Sequence, residues 1–346
     1  MSEPIVSFLP TLTSFLLTLI LVPLVRHLAL HWGFLSLPTA ERWHKRPVPS
    51  FGGVAFFLGF LCSVFLFSPH WSVFFPLLLV VSLMFVVGLY DDLHCLTPAA
   101  KLLGQCIGAA TAVFYGYSLG FFTWPPLDVI VTALWIVGLT NAFNLLDNMD
   151  GLASGLGLIA MLYLAFLFYQ RENIPSATLS LTLAGAVAAF LIYNFHPASI
   201  FMGDAGSLFL GSTLSLLTLH IHGEASNILS LVAVPTLILL VPILDTALVT
   251  LTRLFHGQPV SQGGTDHSSH RLVTLGFSEL KAVLLLYLAA IVSGAAAVVI
   301  ERLSYPLSLI LVPGIIFFFT LGAAYLARVE IGSAPQDKSE KQRNEG

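Results

Sequence analysis

Long apolar runs separated by short polar stretches dominate the pattern of this chain. A helix that crosses a bilayer needs about 20 mostly apolar residues. Eleven runs approach or exceed that length, at 6–25, 51–68, 72–90, 100–119, 127–146, 152–169, 176–195, 206–222, 227–252, 281–300 and 304–327. Prolines and glycines mark many of their ends, as at Pro125-Pro126 and Gly151. The pattern predicts an all-α integral membrane protein of about eleven transmembrane helices, forming one domain over 1–327. There is no internal repeat and no separate soluble domain. Residues 328–346 are polar and read as a disordered tail.

Composition excludes a soluble protein. The 346 residues are 57% hydrophobic and 9% charged, with mean hydropathy +0.90, whereas soluble domains carry about 25% charged residues. The net charge of −4 says little beside the distribution of the charges. Cys62, Cys95 and Cys106 lack metal-type spacing, and two lie in apolar runs where a buried free thiol is expected. The first run is long enough to span and no small-residue cleavage site follows it, so no cleavable signal peptide is expected.

Assigning the loops alternately to two sides sorts the charges. Side one receives Arg26, Arg42, Lys45, Arg46, Lys101, Arg253, Arg271, Lys281, Arg328, Lys338, Lys341 and Arg343, which is 12 of the 14 basic residues. Side two keeps Arg171 and Arg302. By the positive-inside rule side one is cytoplasmic, with the N-terminus outside and the C-terminus inside. The same alternation, built without them, puts Asp91, Asp92, Asp147, Asp150, Asp204, Asp266, His267 and His270 on side one. A transport pathway would place carboxylates near mid-membrane, and apart from Asp128 at the start of its run only Asp245 sits inside one. The expectation is therefore a cytoplasmic-facing active-site cleft carried by the helices, in the inner membrane. A transporter or flippase, and an inactive scaffold, are the rival classes.

Four clusters carry the candidate chemistry. Asp91-Asp92 ends an apolar run, either to bind a cation or accept protons, or as solvated helix-cap carboxylates. Asn141, Asn144 and Asp147 share one helix face and suit a hard cation, with Asp150-Gly151 turning the chain after them. Gly203 and Gly206 flank Asp204, where backbone can approach a ligand closely and helix N-terminal amides can meet a phosphate. His267 and His270 are followed by Arg271; with no third soft ligand nearby, they suit a diphosphate better than zinc. Oxygen ligands, cationic groups and no thiolates point to Mg²⁺ or Mn²⁺ and a phosphate substrate.

These segments, GLYDD with Lys101 and Gln105, NAFNLLDNMDGLA, YNFHPASIFMGDAGSLFLG and the His-rich loop before the last two runs, occur in this order in one superfamily. From Pro38 to about Leu280 the chain resembles the polyprenyl-phosphate N-acetylhexosamine-1-phosphate transferases and, more distantly, phospho-N-acetylmuramoyl-pentapeptide translocase. The eleven-span branch that uses a UDP-N-acetylhexosamine fits better than the ten-span branch. The resemblance implies transfer of a sugar 1-phosphate from a UDP-sugar to a polyprenyl phosphate, with UMP released and Mg²⁺ required. Asp91 and Asp92 would handle the polyprenyl phosphate, Asp91 assisting its deprotonation. Asp204, with Asp147 and Asn144, would hold Mg²⁺ on the diphosphate. Asn194, Asp150 and Phe201 would line the nucleotide pocket, with Lys45 near the nucleotide and Lys101 and Asn148 among the substrate-binding residues. His267, His270 and Arg271 would contact the diphosphate or sugar. The expected partners are the bilayer, the UDP-sugar, the polyprenyl phosphate and, as an option, a second copy in a homodimer; nucleic acid is not among them.

Three positions depart from the family pattern. Asn148 stands where a glycine is frequent, Ser36 where an aspartate is common, and His267-Ser268-Ser269-His270 where His-Ile-His-His is common. These bear on the sugar accepted more than on the reaction type.

Overall fold

The structure, a computed structural model, describes residues 3–37, 46–68, 71–221, 228–259 and 264–329. Lys45 and the expected tail from residue 330 onward lie outside them. Among the described residues the chain forms α1 (Glu3–Trp32), a two-residue antiparallel pair β1 (Leu35–Ser36) and β2 (Val48–Pro49), α2 (Gly52–Phe67), a 3-10 turn (Trp71–Phe74), α3 (Phe75–His94), α4 (Pro98–Phe114), α5 (Pro125–Leu146), α6 (Leu152–Gln170), α7 (Ile174–Asn194), α8 (Gly203–Ile221), α9 (Ile228–Ile238), α10 (Leu240–Phe255), α11 (Ser268–Thr274), α12 (Glu279–Glu301) and α13 (Tyr305–Ala327). Proline stands in the first turn of α3, α4, α5, α7 and α13, where its missing N–H costs no helical bond.

Every expected run coincides with helix, but the eleven crossings are not established by length and apolarity. Seven helices are long and apolar enough to cross a membrane, and the bent pair α9–α10 makes an eighth if it is one span. α2 is apolar but has only 16 residues. α8, which bears Asp204 and His220 as well as several hydroxyls, is not among the seven, and its setting explains why it tolerates the hydroxyls. It is buried along nearly its whole length, between α3, α5 and α2. Thr213 and Thr218 donate to Phe209 and Ser215 carbonyls at 2.7 and 2.6 Å, so these hydroxyls need no partner from lipid or water. The bend of 79° between α9 and α10 also has a local cause. Pro242 lacks the N–H that would bond to the carbonyl of Ile238, and Pro235 lies within α9.

Contacts between helix ends reproduce the alternation of sides. At one end Arg26 Nε donates to Ser199 O at 3.2 Å, and Gly52 N donates to Phe201 O at 2.8 Å. At the other, Arg171 joins Glu301 and the Ile221 carbonyl, and Tyr117 meets His220 at 2.9 Å. The cysteines depart from expectation. All three are free and exposed, because they lie on outward faces of the bundle, where a thiol meets lipid or headgroups rather than core.

Candidate active site

The last turns of α3 and α5 and the first turns of α4 and α8 bring four side chains to one point. Lys101 Nζ lies 3.0 Å from Asp91 Oδ2, 3.0 Å from Asp204 Oδ2 and 2.9 Å from Asn144 Oδ1. Asn144 Nδ2 donates to Asp204 Oδ1 at 2.5 Å and to Ser207 Oγ at 2.8 Å. Asp91 Oδ1 accepts the Leu96 N–H at 2.7 Å. The Asp91 side chain is 9% exposed and that of Asp204 33%, so the cluster opens on the Asp204 side.

Asp92, adjacent to Asp91, faces a different task. Its Oδ1 and Oδ2 accept the N–H groups of Asp204 and Ala205 at 2.8 and 2.9 Å. It therefore caps α8, a helix remote in sequence, with its carboxyl group at that helix's positive end. This corrects the expectation that the first amides of α8 meet a phosphate, since a carboxylate of the chain already holds two of them. The flanking glycines serve packing in the same way. Gly203 has φ +72° and a Cβ there would press on the Asp92 carboxylate; a Cβ on Gly206 would meet the backbone of Gly53.

The Asn141–Asn144–Asp147 face divides. Asn141 exchanges amide hydrogen bonds with Gln105, at 2.6 and 3.2 Å, whereas Asn144 reaches the cluster. Asp147 is the C-cap residue of α5, three positions beyond Asn144. Among the described residues no three His, Cys, Asp or Glu side chains form a metal-ligating group. The oxygens of Asp91, Asp204 and Asn144 nevertheless converge on one cationic nitrogen. That donor set is the hard-oxygen chemistry that suits Mg²⁺.

The expected nucleotide residues lie along the neighbouring turns. Asp150 Oδ2 accepts the Ala198 N–H at 2.9 Å and lies 3.1 Å from His196 Nδ1. Asn194 is 1% exposed. Its Oδ1 accepts from Ser154 Oγ at 2.7 Å and its Nδ2 donates to Ile200 O at 3.0 Å, so this amide shapes the 195–202 loop from inside. Phe201 donates its N–H to Pro49 O at 2.9 Å, tying that loop to β2.

The histidine segment packs against the same end. His267 Nδ1 is 2.8 Å from Asp245 Oδ2. Burial, reinforced by His267, pushes His270 down to about 4, so it is neutral near pH 7. Arg271 is buried, donating Nε to Asp266 O at 2.9 Å and Nη1 to the carbonyls of Leu326, Ala327 and Val329 at 3.0, 3.0 and 3.1 Å. In this arrangement its guanidinium collars the C-terminus of α13 instead of facing the cluster. Asn148 Oδ1 accepts from Ser269 Oγ at 2.9 Å.

Sequence reasoning missed Arg253, which holds Asp266 with two bonds of 2.7 and 2.6 Å, and Ser207. Neither carries a local motif. Asp245 did carry a signal, as a lone carboxylate in an apolar run.

The fold and site together are a helical membrane bundle with a carboxylate–ammonium cluster at one end and histidines beside it. Residues 74–222, which run from just before α3 to the end of α8, match the glycosyl transferase family 4. The chain is 34% identical over 320 residues to a Bacillus subtilis (strain 168) protein named "Probable undecaprenyl-phosphate N-acetylglucosaminyl 1-phosphate transferase", covering 90% of this chain and 89% of that one. It is 32% identical to the decaprenyl-phosphate N-acetylglucosaminephosphotransferase of Mycolicibacterium smegmatis, covering 83% and 81%. It is 29% identical to a phospho-N-acetylmuramoyl-pentapeptide-transferase of Lactobacillus gasseri, covering 85% and 98%. The chain belongs to this family of polyprenyl-phosphate N-acetylhexosamine-1-phosphate transferases.

Proposed function

We propose that the protein transfers N-acetylhexosamine 1-phosphate from a UDP-sugar to a polyprenyl phosphate, at the cytoplasmic face of the inner membrane, in envelope glycan synthesis. The observation that carries this reading is the meeting of Asp91, Lys101, Asn144 and Asp204 at the end of the bundle. An apolar groove of about 460 Å³ between α5 and α10, lined by residues such as Leu134, Trp135, Ala142 and Leu251, ends half a turn before Asn144. It suits a prenyl chain lying against the protein with its phosphate at the cluster.

The reaction forms one P–O bond and breaks another. A phosphate oxygen of the lipid attacks the phosphorus that bears the sugar, and the diphosphate bridge opens to release UMP. Asp91 sits where the lipid phosphate arrives and takes up its remaining proton. Lys101 offsets charge between Asp91 and Asp204 and shifts toward the substrate phosphates. Two carboxylates, Asp91 and Asp204, face one ammonium in the cluster, so a diphosphate needs more positive charge than the described cluster supplies. Asp204, Asn144 and Asp147 would hold Mg²⁺, which would neutralise the diphosphate and the departing UMP. Asp150 and Phe201, on loops at the same end, are assigned to the nucleotide with Lys45, and His267 to the diphosphate. Asp92, Asn194 and Arg271 act as positioning residues. Incubation of the purified protein with radiolabelled UDP-N-acetylglucosamine, undecaprenyl phosphate and Mg²⁺ tests the reading. Label in the lipid extract supports it, and none with any UDP-N-acetylhexosamine contradicts it.

A further inference from the structure

The helix that carries the histidines is fastened at its start by a carboxylate from the bent span. Asp245 is 1% exposed, and a carboxylate that deep needs a partner for each oxygen. Oδ1 accepts the Ser268 N–H at 2.6 Å, and Oδ2 lies 2.8 Å from His267 Nδ1. The consequence falls on the imidazole. An ionised carboxylate can only accept, so the proton between the two groups belongs to Nδ1. Nε2, across the ring, then points away from α10 and has no protein partner among the described residues. The neighbouring charges are committed elsewhere. Asp266 is held by Arg253, and Arg271 by the end of α13.

Resting on the transferase reading, we propose that Asp245 is a positioning residue that locks His267 in the Nδ1-protonated form and presents its Nε2 to the diphosphate of the nucleotide sugar. In the imidazolium, Nε2–H donates to a phosphate oxygen; in the neutral ring, Nε2 is the proton-accepting edge. Either role fails if the proton moves to the wrong nitrogen.

Asp245→Asn tests this with little change of shape. The Ser268 N–H requires an acceptor, so the asparagine oxygen stays with it and the NH₂ group faces His267. Two donors cannot meet, so Nδ1 must lose its proton and Nε2 gain one. Nitrogen NMR of the full-length protein labelled with ¹⁵N-histidine reads this directly, with His267 assigned through His267→Gln. The expected result is a protonated Nδ1 in the wild type and an unprotonated Nδ1 in the variant. With UDP-N-acetylglucosamine, kcat should fall by about a hundredfold while KM moves by less than about threefold. The double variant should be no slower than His267→Gln alone. A wild-type His267 protonated only at Nε2 overturns the proposal without any variant, as does a double variant in which the two losses multiply. The NMR measurement needs no substrate, so it fails or succeeds independently of the transferase reading.

Discussion

Ser269 Oγ donates a hydrogen bond to Asn148 Oδ1 at 2.9 Å, across 121 positions of sequence. The pair joins the residue after Asp147 to the third position of the His-rich segment. Asn148 also donates its Nδ2 to Leu145 O at 2.8 Å, so the α5–α6 turn and α11 share one polar link. Ser269→Ala and Asn148→Gly should each lower kcat/KM for the nucleotide sugar. Their effects should be coupled by about 0.5–1.5 kcal/mol. A double-mutant cycle measures this, and strict additivity would show that the link carries no energy.

The two adjacent aspartates should separate by stability. Asp92 caps α8 through the N–H groups of Asp204 and Ala205, so Asp92→Ala should cost about 0.5–2 kcal/mol of stability along with activity. Asp91→Asn keeps an oxygen for the Leu96 N–H and should lower kcat with a smaller loss of stability. Its deficit should shrink as pH rises, because a phosphate monoester has a second pKa near 6 and needs less help once it is a dianion. Thermal melts in detergent and pH–rate profiles check both statements. Equal melts for the two variants would remove the distinction.

His270 predicts a pH effect on stability. Its value falls from 6.5 to about 4 on folding. Between those values the unfolded chain binds the proton and the folded protein does not, so protonation favours unfolding. The contribution is complete above pH 6.5 and declines as pH falls toward about 4. His270→Gln should flatten that part of the melting-temperature profile. Identical slopes in wild type and variant would contradict the assignment.

Sidedness is open to the native thiols. Cys95 follows α3 at the end that bears the cluster. With Cys62 and Cys106 replaced by serine, an impermeant maleimide should label Cys95 only after lysis. A cysteine placed at Arg302, at the opposite end, should react in intact cells. The reverse pattern would invert the topology.

The helices were legible because the length of an apolar run maps directly onto the length of a helix. The crossing number was less so, since α8 reads as a span by position while its hydroxyls are satisfied within a protein-lined setting. At the site, Asp91, Asn144 and Asp204 stand out as polar groups at the ends of runs, and they do meet. Partnerships across the fold leave no trace in local spacing. Asp92 binds amides 112 and 113 positions away, and Arg271 the end of α13, 55 to 58 positions on. A short-range motif therefore announces a polar residue without saying whether it faces substrate or another helix.

Direct transfer at the Asp91–Lys101–Asp204 cluster makes release of UMP depend on the acceptor. Purified protein with a UDP-N-acetylhexosamine and Mg²⁺ should release UMP only when polyprenyl phosphate is present, in step with labelled lipid. Asp204→Asn should lower that rate by at least about a hundredfold. A burst of UMP matching enzyme concentration without the lipid would contradict direct attack, and UDP as the product would contradict sugar 1-phosphate transfer itself.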